Sequence, residues 1–295
     1  MNRLFKPSFS VLILRLLPLF LLLLTAPART EAASLAFDHS EWDQFLKKFV
    51  SEKGEVNYRA ARAEGRELLD RYLEKLKAIP ALELKNWPRE ERMAVFINAY
   101  NAGLVKLILE HYPLKTVMDI PGVWDQAVIS ISTPSSPDRK EDSDPLARNY
   151  SLNEIQNEIL RKRFRDEKIF FALCSGAQGS PRLAREAYVG PLLEGQLYRA
   201  TRDFVNDPAK NQIAPGHKKV MLSRLFKWYA NDFLLNWGNF PEEKGWEPQE
   251  MAVLSFLAHY LQDPKQVEFL KEGKYKVKYE VFDWQLNDWK AKSLQ

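Results

Sequence analysis

Residues 89–112 read Arg-Glu-Glu-Arg-Met-Ala-Val-Phe-Ile-Asn-Ala-Tyr-Asn-Ala-Gly-Leu-Val-Lys-Leu-Ile-Leu-Glu-His-Tyr. From Met93 to Leu109 almost every side chain is apolar or small. No polar face is left, and a helix that is apolar all round is a buried helix. Pro88 stands where a first helical residue belongs, its missing N–H costing nothing. Glu90 and Glu91 then complement the dipole of the first turn. About twenty helical residues, at about 1.5 Å each, reach across a small domain. Asn98 and Asn101 interrupt the run at i and i+3, on one face. A buried amide without partners costs on the order of 1–3 kcal/mol, so both need partners from other segments. Either they tie neighbouring loops to the core, or they line a ligand or catalytic cleft.

Upstream, Phe37-Asp38-His39-Ser40 leads into Trp42–Val50, where Trp42, Phe45, Leu46, Phe49 and Val50 mark an amphipathic helix. Ser40 or Asp38 is available to cap it. Val56–Tyr58 reads as a short extended piece. Glu67–Ile79 again has helical spacing, and Pro80 stops it. Downstream, Val128–Ile131 alternates like a strand. A polar, proline-rich insert follows near residues 132–149, which makes a surface loop. Ser151 and Glu154 form a Ser-x-x-Glu capping box ahead of Ile155, Ile159 and Leu160.

Lys168–Leu173 reads as a buried strand running into Cys-Ser-Gly-Ala-Gln-Gly-Ser-Pro, residues 174–181. Turns at strand ends are places where a rigid element positions functional groups. Helices are expected at Leu192–Val205, Arg224–Leu235, Glu250–Leu261 and Lys265–Leu270. A strand is expected at Lys219–Leu222. A second, half-buried one is expected at Tyr275–Phe282, with Tyr275, Val277, Tyr279 and Val281 on one face. No internal repeat and no linker divides the chain. The fold class is α+β: a helix-rich single domain over residues 33–295, its buried central helix packed on a small antiparallel sheet.

The chain has 295 residues, 45% of them hydrophobic, enough for a real core. Arg3, Lys6 and Arg15 precede the apolar run Leu16–Thr25, the charged and short apolar regions of a signal peptide. Small-residue cleavage options follow at Ala26-Pro27-Ala28 and Thr30-Glu31-Ala32. Residues 1–32 are therefore expected to be a signal peptide, and the mature protein periplasmic or secreted. No membrane span is expected after cleavage. Without that segment the 43 basic and 39 acidic residues fall to 39 and 38. No basic run follows it, so nucleic acid is not an expected partner. Cys174 is the single cysteine, so no intrachain disulfide can form.

Several short patterns recur in one order. They are Phe37-Asp-His-Ser-x-Trp42, Val56-x-Tyr58, Phe96-Ile-Asn-Ala-Tyr-Asn-Ala102, Leu152–Arg161, and Phe171-Ala-Leu173 with Gly176-Ala177 and Pro181. Trp228-Tyr229-x-x-Asp232-Phe233 and Asp283-Trp284-x-Leu286-Asn287 complete the series. Together they resemble the family called domain of unknown function 547, over nearly all of the mature chain. The resemblance brings no established activity. Members usually carry a histidine after Ile-Glu in the helix matching 151–161, where this chain has Ile155-Gln156-Asn157. They usually carry Cys-Gly-x-x-Ser-Cys-Pro after Phe-Ala-Leu, where this chain has Ser175-Gly-Ala-Gln-Gly-Ser180-Pro181. If the family cysteine and histidine form a nucleophile–base pair or a metal site, both groups are missing here. Serine without a base is a poor nucleophile, and a weaker soft-metal ligand than thiolate.

The chemical candidates follow from those positions. Ser175, Ser180, His39 and Asp283 are the candidate catalytic residues. Asn98, Tyr100, Asn101, Asn157, Asp232 and Trp284 are the candidate binding residues. His39 is the best remaining base, since His111 reads as a helix C-cap, His217 as a solvated turn residue and His259 as a core-edge ring. No two histidines have metal-ligand spacing, and no metal or cofactor is expected. Cys174, following Phe170–Leu173, reads as a buried thiol. The favoured function is a non-catalytic or degenerate binding module of the cell envelope. It would take a peptide, glycan or protein ligand with Trp228, Tyr229, Trp237, Trp246 and Trp284. The alternative is a papain-like or transglutaminase-like hydrolase or transferase using a strand-end serine or the lone cysteine.

Overall fold

The computed structural model describes residues 37–132, 148–238 and 246–289. The expected signal peptide and the interior of the polar insert lie outside the described residues. Helix α1 (Ser40–Phe49), α2 (Tyr58–Ala60), α3 (Arg66–Lys77) and α4 (Ala81–Asn86) lead to α5 (Arg89–His111). A π-helical turn at Ala61–Gly65 joins α2 to α3. Pro88 is the residue just outside α5, not its first helical residue, and its extended ψ of 151° sets the entry.

Helix α5 is buried from Met93 to Leu109 apart from Lys106. By length and hydropathy it could cross a membrane, but 89% of its most apolar window is buried inside this domain. It is the axis of the core. Glu91 in its first turn is buried too, and its Oε1 accepts the Phe37 N–H at 2.7 Å. Strands β1 (Ile129–Ile131) and β2 (Arg148–Tyr150) form an antiparallel pair against α5. Gly103 of α5 permits the close approach. A Cβ there would stand 2.3 Å from Ile129 Cδ1. The two strands bracket the polar insert, which the sequence pattern had extended through Asn149.

The capping box forms as its sequence requires: Ser151 Oγ accepts the Glu154 N–H at 3.1 Å, and Glu154 Oε2 accepts the Ser151 N–H at 2.8 Å. The helix that follows is a π-helix over Glu154–Phe164. Its buried residues, Ile155, Ile159, Leu160 and Phe164, recur every four to five positions. That spacing suits the wider i→i+5 winding. The expected strand at Lys168–Leu173 is instead a 3-10 helix, Glu167–Phe171, capped by Asp166. A short, fully buried apolar run fits either element. Here the Asp166 side chain accepts the Lys168 N–H and selects the helical turn.

The C-terminal half continues with α6 (Leu193–Val205), β3 (Gln212–Ala214), β4 (Lys219–Leu222), α7 (Arg224–Trp228) and α8 (Ala230–Trp237). Helix α9 (Pro248–Tyr260), α10 (Pro264–Glu272) and β5 (Lys276–Tyr279) complete it. Ser223 caps α7 as expected, but α7 and α8 are separate helices that break at Tyr229. The sheet β3-β4-β5 is mixed, with β4 antiparallel to β3 and parallel to β5. Strand β5 ends at Tyr279 rather than Phe282. Glu280 N still bonds Leu222 O, and the chain then leaves the sheet, so that Val281 is 85% exposed instead of sharing the buried face.

Candidate functional site

The two asparagines of α5 act as substitutes for strand partners. Asn98 Oδ1 accepts the Tyr188 N–H at 3.0 Å, and its Nδ2 donates to Tyr188 O at 2.7 Å. Asn101 Oδ1 accepts the Cys174 N–H at 3.0 Å, and its Nδ2 donates to Ala172 O at 2.9 Å. Each amide thus satisfies the main chain of a segment that lies in no sheet. Both are buried, and they hold the loop at 188 and the turn at 172–174 to the core.

His39 belongs to the first of these anchors. Its Nδ1 lies 2.8 Å from the Tyr72 hydroxyl and 3.2 Å from Asn98 Nδ2. With two donors facing Nδ1, the proton belongs on Nε2, which is buried without a partner. Burial drives the ring's pKa from 6.5 down to about 4. The neutral imidazole is held by α3 and α5, and it lines neither of the depressions beside the 174–181 turn.

That turn is closed by the C-terminal segment. Gln178 N donates to Gln285 O, Gly179 N to Asp283 O, and Asn287 N to Gly176 O. Gly176 has φ of +71°, and a Cβ there would meet Ile108 Cδ1 at 2.8 Å. This position requires glycine for both reasons. Cys174 is buried, but its surroundings are not purely apolar. Its Sγ receives the Gly176 N–H at 3.3 Å and lies 3.5 Å from both Ser180 Oγ and Asn287 Nδ2. Burial raises the thiol pKa, against the opposing pull of those hydrogen bonds.

The two serines of the turn differ. Ser180 is buried, with its Oγ 2.9 Å from both Ala177 O and Pro181 O. Ser175 Oγ is shielded and has no hydrogen-bond partner. Both residues line a cleft of about 180 Å³. Trp124, Trp228, Trp284 and Phe282 form one wall, and Tyr100, Phe170 and Tyr229 belong to the other lining. Trp284 is the hub of the wall, with ring centres 6.1 Å from Trp228, 6.3 Å from Trp124 and 4.5 Å from Phe282. Tyr229 stacks on Phe170 at 3.9 Å, and its hydroxyl accepts from the Gln156 amide. Among the described residues no charged side chain and no histidine lines this cleft.

The remaining candidates lie elsewhere. Asp283 lines an adjoining depression of about 460 Å³ that shares Ser180, Pro181 and Phe282 with the cleft and is also lined by Arg182, Asp207 and Lys210. Its Oδ1 accepts the Gln285 N–H at 2.9 Å. Lys210 donates to Gln178 O and is pushed below its usual pKa by burial. Asn157 and Asp232 line a third depression, where Asp232 Oδ1 accepts from Arg161 Nε at 2.7 Å. Trp237 is turned inward to Glu167, its Nε1 donating to Oε1 at 2.6 Å. Trp246 packs on Tyr275. Trp124 and Phe282 join the cleft without any sequence signal beyond residue type, because separate segments bring them together, whereas Gln156 belongs to the Ile155-Gln156-Asn157 stretch singled out in the sequence.

The fold and cleft define the class: a helix-rich α+β domain whose core helix anchors a glycine-bearing turn under an aromatic wall. Residues 84–205 match the model of the family described as a protein of unknown function, DUF547. The matched span runs from the end of α4 through α6, and so includes α5 and the turn. No curated protein and no solved structure matches the chain.

Proposed function

We propose that this domain is a non-catalytic binding module of the cell envelope, and that the tryptophan-walled cleft is its binding site. The observation that carries the reading is the cleft's uncharged lining beside two serines that have no base. Ser180 is committed to main-chain carbonyls, and Ser175 has neither a histidine nor a carboxylate as a partner. Acyl transfer needs an activated nucleophile and a general base within hydrogen-bond reach. Neither requirement is met at this turn, which speaks against a papain-like or transglutaminase-like hydrolase. A few convergent polar groups in an aromatic cleft suit binding instead. Envelope location rests on the charged and apolar N-terminal pattern of residues 1–32.

Treating the folded mature protein with a fluorophosphonate probe tests the non-catalytic reading. Ser175 and Ser180 are expected to stay unmodified while added ligands change the tryptophan emission. Stoichiometric labelling of either serine in folded protein would restore the hydrolase.

A further inference from the structure

The cleft's chemistry narrows what it binds. Among the described residues no charged side chain lines the cleft, so a charged ring seated in it finds no counter-charge there, which favours a neutral one. A peptide is usually bound by pairing its main chain with free backbone groups. At this turn the N–H groups of Cys174, Gly176, Gln178, Gly179 and Ser180 are already used. The groups left are neutral ones that both donate and accept. The Tyr229 hydroxyl accepts from the Gln156 amide and keeps its own proton to give. A sugar hydroxyl has the same two-way character. Trp228 is 45% exposed and meets Trp284 at 32°. The half-exposed Trp228 ring, backed by the tilted Trp284, offers an aromatic face to the C–H face of a pyranose.

We infer that the cleft is the subsite for one ring of a neutral glycan, stacked on Trp228 and Trp284 and hydrogen bonded through Tyr229 and Gln156. The inference rests on the cleft being the binding site proposed above. At about 180 Å³ it is smaller than the roughly 300–1,000 Å³ of a drug-sized site, so one ring enters. The rest of the chain continues over the shallow depression that shares Phe282 and Trp284, where Met118 and Val281 are exposed beside Lys115 and Asp283.

The test titrates the mature protein with fully N-acetylated chitotetraose and with cellotetraose, with a heparin fragment as the charged control and an end-capped neutral tetrapeptide as the alternative ligand. Tryptophan emission and saturation-transfer NMR are the readouts. A neutral saccharide is expected to bind while heparin does not. Trp228→Ala is expected to weaken binding about tenfold, the equivalent of about 1.4 kcal/mol. Tyr229→Phe keeps the ring stack on Phe170 and is expected to weaken binding several-fold with the melting temperature unchanged. Unchanged affinity in both variants overturns the assignment. Failure of both neutral saccharides at millimolar concentration also overturns it. If the tetrapeptide then binds and Trp228→Ala abolishes it, the glycan is wrong and the binding module stands. Serine labelling by the fluorophosphonate would remove the module itself.

Discussion

Asn287 Oδ1 accepts a hydrogen bond at 2.7 Å from the hydroxyl of Tyr58, a residue 229 positions earlier. Both residues are buried. The bond is one of several by which the closing segment clasps the start of the domain. Val56 N donates to Asn287 O, and Trp289 N to Val56 O. The same Asn287 amide reaches Cys174 Sγ in the turn. The first segments of the domain, its last and the cleft's turn therefore share one polar cluster.

Removing either partner leaves the other buried without its bond, at a cost of about 1–3 kcal/mol. Tyr58→Phe and Asn287→Ala are each expected to lower the urea midpoint. Residues in direct contact do not act independently, so the double variant should lose less than the two singles combined. Strict additivity in that cycle would mean the bond contributes nothing.

Much of this arrangement was legible in the sequence, and the limits have physical causes. The apolar run at 93–109, with no polar face, marked a buried helix, and Asn98 and Asn101 within it had to find partners. Ser151 and Glu154 spelled out their own cap. What could not be read were contacts set by tertiary structure. Phe170 and Phe171 fit a strand or a helical turn equally well by pattern, and a local Asp166 bond decided between them. Val281 continued the strand alternation, but its strand had already ended at Tyr279. The tryptophan wall joins positions 124, 228 and 284, and no local pattern relates residues so far apart.

Gly103 gives a test of how tightly β1 packs on α5. In an exposed helix, Gly→Ala gains about 1 kcal/mol. Here the new methyl would stand 2.3 Å from Ile129 Cδ1 and 2.4 Å from Ile129 Cγ1, and overpacking typically costs about 1–3 kcal/mol. Gly103→Ala is therefore expected to be net destabilising. In an Ile129→Ala background the same change should become neutral or stabilising. Chemical denaturation of the four proteins decides the point, and a stabilised single variant would contradict the close packing.

Cys174 tests whether the polar groups around its sulfur make it reactive. The thiolate is the nucleophile, and burial raises this thiol's pKa despite the N–H donors of Gly176 and Asn287 beside it. Iodoacetamide at neutral pH is expected to modify the folded protein far more slowly than the urea-unfolded chain. Equal rates would show that the turn opens readily and that the thiol is accessible.

His39 should make stability depend on pH in a defined window. Above its ordinary pKa of 6.5 the ring is neutral in folded and unfolded chains alike, and it adds no slope. Between 6.5 and about 4 the unfolded chain binds a proton that the buried ring refuses. Stability then falls as pH falls, by about 1.4 kcal/mol per pH unit at most. Below about 4 both states carry the proton and the loss stops growing. Asp38, held at about 2 chiefly by its bond to Lys75, adds its own loss mainly below its ordinary 3.8, where the unfolded chain takes a proton that the folded carboxylate refuses. His39→Gln keeps a polar side chain without a proton to gain, so its stability should lose this component of the slope between pH 6.5 and 4. Urea unfolding at half-unit steps of pH compares the two proteins. Parallel curves through that window would mean that the folded ring takes its proton as readily as the unfolded one, and that the anchor to Tyr72 and Asn98 does not hold it neutral.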